Sequence, residues 1–300
     1  MLMVSSFYKY VYIENAPEFA KRHLELCESL NIKGRILIGY EGINGSICGA
    51  RSKVEEYKRL LLKNPLFSGI DFKEQTSEKP AFRKLIVRFR KEIVNSGLSV
   101  DLVNIADSIT PKELKKMLDK EEDIVLVDMR NAYETLIGRF KGARTLQMKN
   151  FRDLPKFIKE IEDLKERKIV TYCTGGIRCE KASAFLKENG FRNVLQLKGG
   201  ILKFGEEFKD TYWEGKCFVF DDRLSIEINK KNCQALNECV WCRKRCDDYI
   251  NCHNLECDKL FICCQECRQE HNKSCSEACS MHPERRKELP VILEQFMDNL

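Results

Sequence analysis

Apolar and polar positions repeat with different periods along the chain, and the changes of period divide it into three parts. Residues 7–13 (FYKYVYI) are rich in aromatic and β-branched side chains, as strands are. Phe19, Ala20, Leu24, Cys27 and Leu30 fall at helical spacing over residues 16–30. Strand-like runs at 35–38 and 45–49 flank a turn at Tyr40, Glu41, Gly42, Ile43 and Asn44. Residues 54–62 are again helical, and 85–89 (LIVRF) close the set. The order strand, helix, strand, strand, helix, strand over residues 1–100 predicts a ferredoxin-like α+β domain.

Residues 99–112 (SVDLVNIADSITPK) read as a linker into a second domain, 101–215. Thr110, Pro111 and Glu113 spell a helix start: an N-cap, a proline at the first helical position and a capping-box acid. Beyond them, 124–128 (IVLVD), 169–172 (IVTY) and 194–197 (VLQL) are near-continuous apolar runs, the pattern of strands buried on both faces. Helical segments separate them, including 180–189, which Gly190 ends as a C-cap would. A doubly wound parallel α/β sheet follows. Residues 216–300 form a third, cysteine-rich region.

Composition adds compartment and chemistry. With 43% apolar and 33% charged residues the chain is globular, and no apolar run approaches the roughly 20 residues that cross a bilayer. The first residues lack the basic head and apolar stretch of an export signal, so a cytoplasmic protein is expected. Twelve of the sixteen cysteines lie between Cys217 and Cys279; without export, metal binding or redox chemistry explains them better than disulfides. The first 229 residues hold 41 of the 52 Lys/Arg and 34 of the 46 Asp/Glu, a net +7 that is compatible with a phosphate-bearing partner such as RNA.

Residues 169–183 (IVTYCTGGIRCEKAS) are the decisive stretch. An apolar strand ends at Cys173; Thr174, Gly175, Gly176 and Ile177 make a short loop; a helix begins near Arg178. Sites in open parallel sheets form beyond the carboxyl ends of the strands. Inward backbone N–H groups, the helix N-terminus and the full charge of Arg178 together favour a thiolate at Cys173, the nucleophilic form of cysteine. The bland alternative is a structural cysteine in an ordinary strand-to-helix turn. Cys179 suits either a resolving thiol, forming a disulfide with Cys173, or a packed position on the helix.

Loop length separates thiolate enzymes. Tyrosine phosphatases place five residues between Cys and Arg; here there are four, and the tighter bowl resembles the rhodanese loop. Asp128 and Arg130 after the first strand, then Glu134, 138–143 (GRFKGA) and 199–201 (GGI) add to that resemblance. Asp128 and Arg130 are expected to organise the domain by hydrogen bonds.

In the tail, Cys239/Cys242 and Cys264/Cys267 are two C-x2-C pairs, the spacing of one tetrahedral zinc site. Cys246, Cys252, Cys257, Cys275 and Cys279 hold enough thiolates for a second, with His253 and His271 as possible substitutes. Disulfides, free thiols and an iron–sulfur cluster are the alternatives. Which cysteines share an ion does not follow from spacing.

From about Ser6 to Cys279 the chain resembles the bacterial rhodanese-domain family of oxygen-dependent tRNA uridine hydroxylases. The resemblance rests on 6–10 (SFYKY), Gly34 and Arg35, 41–44 (EGIN), 128–131 (DMRN), Tyr133 and Glu134, Ile137 and Gly138, 172–183 (YCTGGIRCEKAS), 218–221 (FVFD) and the cysteine series; Cys263 looks like an extra cysteine. It implies hydroxylation of the wobble uridine of certain tRNAs at carbon 5 with molecular oxygen as co-substrate, and an active cysteine at Cys173 proposed to work through a persulfide. The tRNA anticodon region would be the partner, with Lys9, Arg35, Arg83 and Arg88 as candidate contacts. The sequence names no electron source: it has neither a dinucleotide fingerprint nor an iron triad, leaving a sulfur or electron donor protein as a further partner. Two other readings use the same residues: a sulfurtransferase working through a Cys173 persulfide, and a zinc-dependent RNA-binding adaptor without catalysis.

Overall fold

The computed structural model describes residues 1–231 and 234–286. They fall into two compact units, Met1–Cys233 and Gln234–Leu300. The first unit opens with β1 (Leu2–Tyr10), α1 (Ala16–Ser29), β2 (Lys33–Gly39), β3 (Gly42–Ala50), α2 (Arg51–Leu62), β4 (Lys73–Ser77) and β5 (Leu85–Phe89). Their sheet has the order β4-β1-β3-β2-β5. The first four strands of that order give the ferredoxin-like arrangement, with β1 antiparallel to both β3 and β4.

Residues 85–89 do not close this motif, as the apolar run suggested; they add a fifth strand, parallel to β2 on the opposite edge. The closing strand is β4 (KEQTS), whose polar sequence concealed it. An edge strand has one neighbour and needs no continuous apolar run. The turn between β2 and β3 shrinks to Tyr40 and Glu41.

Period-2 alternation along β1 assigns its faces. Met3 and Phe7 join Ile36, Ile43 and Ile47 in the core beneath α1 and α2. Ser6, Tyr8 and Tyr10 point the other way. Across that open face the strand register aligns Lys73, Ser6, Ser46 and Arg35 in one row.

The next elements are β6 (Asp107–Ile109), α3 (Pro111–Asp119), β7 (Ile124–Asp128), α4 (Ala132–Leu136), β8 (Gly138–Phe140), β9 (Arg144–Thr145), α5 (Leu154–Phe157), β10 (Lys168–Tyr172), α6 (Ile177–Glu188), β11 (Asn193–Leu197), α7 (Gly200–Glu207), β12 (Trp213–Phe218) and β13 (Ser225–Glu227). A parallel sheet of order β6-β11-β10-β7-β9 places β10 at its centre. The presumed linker contains β6, a three-residue edge strand beside β11. Thr110 caps α3 with the expected reciprocal bonds to Glu113. The sheet is covered on both faces: Ile169 and Cys173 lie in one core with Ala182 and Leu186 of α6, Val170 and Tyr172 in the other with Leu114 of α3 and Phe204 of α7. Strands β8, β12 and β13 form a small separate sheet, where Phe140 meets Tyr172, Phe204 and Trp213 edge-on.

The two domains of this unit are joined through α6. The Nζ of Lys181, buried, lies 2.9 Å from Glu41 Oε2 and 2.8 Å from Glu92 Oε1. Glu41 also accepts the Ile93 N–H at 2.7 Å, and Asn44 donates to the Ile93 carbonyl at 2.8 Å. The Tyr8 hydroxyl donates to Glu180 at 3.0 Å; within the second domain, the Ala106 N–H donates to Ser183 at 3.0 Å.

The second unit contains β14 (Tyr249–Asn251), β15 (Leu260–Ile262), α8 (Gln265–Glu270) and α9 (Glu277–Ser280). Its buried cluster is made largely of cysteines, with Phe261.

Lys181→Met removes a cation shared by two carboxylates. It should lower stability to urea by roughly 1.5–3 kcal/mol, the worth of charge-assisted hydrogen bonds. An unchanged unfolding midpoint would deny the bridge that role.

Candidate functional site

The cysteine loop is shaped by its glycines. Gly176 adopts φ +102, and Gly200, at the start of α7, has φ +62 with its α-carbon pressed against the loop. A methyl group on Gly200 would sit 2.3 Å from the Cys173 carbonyl oxygen. That closeness lets the Ile201 N–H donate to the Cys173 carbonyl at 3.0 Å and the Leu202 N–H to the Thr174 carbonyl at 3.1 Å. The loop is thus fixed through its carbonyls while the N–H groups of Gly176 and Arg178 turn toward the sulfur. Gly176 N–H donates to Cys173 Sγ at 3.1 Å. Gly175 faces open space, and Ile177 begins α6, its carbonyl accepting the Tyr10 hydroxyl at 3.4 Å.

Around the loop, the electrostatics single out one sulfur. Burial pushes the Cys173 thiol up, but the Cys179 thiol, the Arg178 charge and the backbone N–H groups of Arg178 and Gly176 outweigh it, so its pKa falls well below the ordinary thiol value. Burial raises the pKa of Cys27 and Cys217 to about 12. Burial, with the adjoining Cys173, also holds the Cys179 thiol well above its ordinary value. Cys179 therefore serves as a donor thiol beside a thiolate, packed within the core of α6.

Arg178 does not bring an uncompensated charge to the bowl, as expected from its position. Its guanidinium forks onto buried Glu134, Nη1 2.5 Å from Oε1 and Nη2 2.8 Å from Oε2. Thr174 Oγ1 completes the contact, 3.3 Å from Nη2. A bare buried guanidinium is too costly to persist. Glu134 is positioned by α4, where it also caps the Asn131 N–H at 3.0 Å. Asp128 and Arg130 form a second, fully buried ion pair, with Arg130 also donating to the Gly138 carbonyl at 2.6 Å; neither lines the cavity.

Cys173 lies at the edge of a cavity of about 470 Å³ between the two domains. The row Lys73, Ser6, Ser46 and Arg35 lines it from the first domain, and Tyr8, Tyr133, Phe220 and Arg223 also line it. Of the four basic residues singled out beforehand, Arg35 is there. Lys9 bonds the Ser68 carbonyl beside a neighbouring cavity, Arg83 pairs with Asp222 at 3.4 Å, and Arg83 and Arg88 line neither. Tyr8 and Phe220 sit in strings already noticed, SFYKY and FVFD, whereas nothing local marked Lys73 or Arg223.

In the second unit, Cys239, Cys242, Cys264 and Cys267 bring their sulfurs within 4.8 Å of one another, and so do Cys252, Cys257, Cys275 and Cys279. The structure leaves Cys246 outside both sets, although buried nearby, and Cys263 as well. Sulfur separations of 3.7 Å for Cys242–Cys264, 3.7 Å for Cys257–Cys275 and 3.8 Å for Cys275–Cys279 agree with the about 3.8 Å edge of a tetrahedron with 2.3 Å metal–sulfur bonds. Each set therefore has the donors and dimensions for a tetrahedral metal ion. His271 instead stacks on Trp241, ring centroids 3.6 Å apart, though its ring nitrogen lies near Cys267.

Three family models tile the chain: the UPF0176 acylphosphatase-like domain over residues 2–93, the rhodanese-like domain over 110–207 and the rhodanese C-terminal model over 214–280. The tRNA uridine(34) hydroxylase of Bacillus mycoides is 41% identical over 292 residues, spanning 93% of this chain and 89% of that protein. That of Cytophaga hutchinsonii is 42% identical over 282 residues, spanning 93% and 90%. The chain belongs to the tRNA uridine(34) hydroxylase family. Membership covers all three regions and not the rhodanese part alone. By contrast, a rhodanese-like domain protein from Staphylococcus aureus, 28% identical with a TM-score of 0.30, covers 34% of this chain and 93% of that one.

Because the Cys173 pKa is depressed, its thiolate fraction should be full at neutral pH and fall only as pH drops through that lowered value. Alkylation by iodoacetamide, followed by peptide mass spectrometry, should be flat from neutral to alkaline pH for Cys173, while an ordinary thiol gains nearly tenfold per unit until it levels off near its pKa of about 8.5. Cys179→Ala removes a donor to the thiolate and should shift the Cys173 profile to higher pH; a profile centred on the ordinary thiol value in the unaltered protein would remove the basis of the site.

Proposed function

We propose that this protein hydroxylates uridine 34 of tRNA at carbon 5 with molecular oxygen, using the thiolate of Cys173 as nucleophile. The observation that carries the reading is the cavity itself: a cysteine whose pKa is held down shares it with a row of hydroxyls and cations and with Tyr8, Tyr133 and Phe220. Such a lining suits a pyrimidine turned out of a splayed loop, its base against aromatic rings and its phosphates near Arg35 and Arg223. The volume lies within the range of small-molecule sites, enough for one nucleotide and too little for a helix.

Addition of the thiolate to carbon 6 of the uracil makes carbon 5 electron-rich, the position where oxygen is incorporated. Hydroxylation with molecular oxygen leaves one oxygen atom on carbon 5 and the other in water, which takes two electrons and two protons from outside the ring. A sulfur or electron donor protein is the proposed source. Arg178 and Thr174 hold the loop around the sulfur; Gly176 N–H keeps it charged until the base arrives. The two thiolate sets are proposed to hold structural zinc, which would supply the second unit with the core that its few large apolar residues do not. No helix among the described residues is long and apolar enough to cross a membrane, in keeping with a site of action alongside tRNA in the cytoplasm.

The test is tRNA from a strain lacking this gene and any redundant pathway, analysed by nucleoside mass spectrometry. Restoring the gene should restore 5-hydroxyuridine derivatives at position 34, and Cys173→Ala should not. Thiocyanate formation from thiosulfate and cyanide, with no change at position 34, would instead favour a sulfurtransferase; full complementation by Cys173→Ser would favour an RNA-binding adaptor. Metal analysis of protein purified without chelators should find about two zinc ions per chain, falling to about one in Cys239→Ser. Metal-free, folded protein would end the zinc assignment.

A further inference from the structure

Four cations line the catalytic cavity, and three of them are accounted for. Arg178 is forked onto Glu134. Arg223 is forked onto Asp221 at 2.8 and 2.6 Å, with Gln75 at 2.9 Å. Arg35 is exposed to water at the rim. Lys73 differs from all of these. It is 5% exposed, yet among the described residues its one carboxylate contact is with Asp71, at 3.5 Å, and that side chain is 40% exposed. Its ammonium donates a long hydrogen bond, 3.3 Å, to the Asp71 carbonyl, and the Asp71 carboxylate is a second, similarly distant partner. Its ammonium sits over the Tyr8 ring, centroid 4.9 Å away, within reach of the charges of Glu180 and Lys203, and Lys73 also borders the neighbouring cavity that Asp71 lines. An ammonium has three donors and, when buried, demands an anion or equivalent acceptors.

Backbone register fixes which face of the sheet carries Lys73. It pairs with Ser6 across β1, which pairs with Ser46, which pairs with Arg35; cross-strand partners share a face. The whole row lines the cavity, and Cys173 lines it from the other domain. Burial lowers the Lys73 pKa, while the charges of Asp71 and Cys173 oppose that shift. A partly desolvated cation thus lines the same cavity as the nucleophile and is close enough to feel its charge.

We propose that Lys73 is a catalytic residue whose ammonium stabilises the negative charge that thiolate addition places on oxygen 4 of the target uracil. The assignment rests on the reading of Cys173 as a nucleophile toward carbon 6. In that step the sulfur lone pair forms the S–C6 bond, the C5–C6 π pair moves to C4–C5, and the carbonyl π pair moves onto oxygen 4. No proton is transferred and nothing is oxidised. Lys73 donates hydrogen bonds to the enolate oxygen, an interaction stronger in the intermediate than in the neutral carbonyl, as transition-state stabilisation requires. Protonation of the enolate at carbon 5 by solvent, loss of the original carbon 5 proton and expulsion of the thiolate then return uridine with an exchanged hydrogen.

That return path gives a test needing neither oxygen nor a reductant. Full-length protein is incubated anaerobically in deuterium oxide with tRNA carrying unmodified uridine 34, and deuterium at carbon 5 is read by mass spectrometry as a function of tRNA concentration. The unaltered protein should exchange. Lys73→Met should lower kcat for exchange about 100-fold, the scale of losing one oxyanion donor, while KM and tRNA binding stay unchanged. Lys73→Gln, neutral but still polar, is measured beside it so that a packing defect in one variant leaves the other to decide, and Lys73→Arg should recover part of the loss. The assignment is overturned by an unaltered protein that does not exchange, by neutral variants with undiminished kcat, or by a loss confined to KM, which would mark a phosphate contact. Complementation is run in parallel: absence of hydroxylated uridine with the unaltered gene defeats the functional reading itself, whereas normal complementation by Lys73→Met defeats only the role of Lys73.

Discussion

A charge on a buried sulfur has to be met by fixed dipoles, and the architecture around Cys173 follows from that requirement. Desolvation alone raises thiol pKa values, as at Cys27 and Cys217. At Cys173 the balance reverses because N–H groups of the loop and the Cys179 thiol converge on Sγ. For the N–H groups to converge, the chain must turn through a left-handed conformation at Gly176, and the backbone of Gly200 must approach within the space a side chain would fill. Arg178 contributes charge only because Glu134 balances it. Backbone conformation, helix start and ion pair are thus parts of one electrostatic arrangement.

The same loop is a structural junction. Its helix α6 carries Glu180, Lys181 and Ser183, and each meets a group outside its own turn of chain: Tyr8, the Glu41/Glu92 pair and the Ala106 N–H. The strings SFYKY, EGIN and CEKAS, far apart in sequence, converge there. Their joint presence along the chain has a physical explanation: they are contact surfaces of one interface, of which the cavity is the concave part.

Much of the fold was legible because its signals are local. Runs such as IVLVD must be apolar on both sides to sit between two layers of helix, and the capping box at Thr110 needs only four residues. What escaped were edges. KEQTS and DSI are short strands with one neighbour each, so nothing forced an apolar run on them, and LIVRF was consequently placed in β4's position. The site divides likewise. Cys173, its glycines and Arg178 are contiguous and could be read directly. Glu134, as the partner of Arg178, and Lys73, as a cavity cation, depend on strand register and domain packing that no local pattern encodes. The cysteine tail illustrates the intermediate case: C-x2-C spacing marked one set of four, but leaving Cys246 out of the other set required the third dimension.

The grip on α6 has a consequence for the encounter with substrate. Lys181 is held from two carboxylates at once, and the tyrosines of β1 are tied to the loop, so the walls of the cavity are braced before anything enters. A receptor preassembled in this way spends little ordering entropy of its own. If Cys173 receives the base as proposed, the distortion needed to bring it there falls on the nucleic acid, and chains whose loops open readily at that position are favoured as partners over stiffer ones.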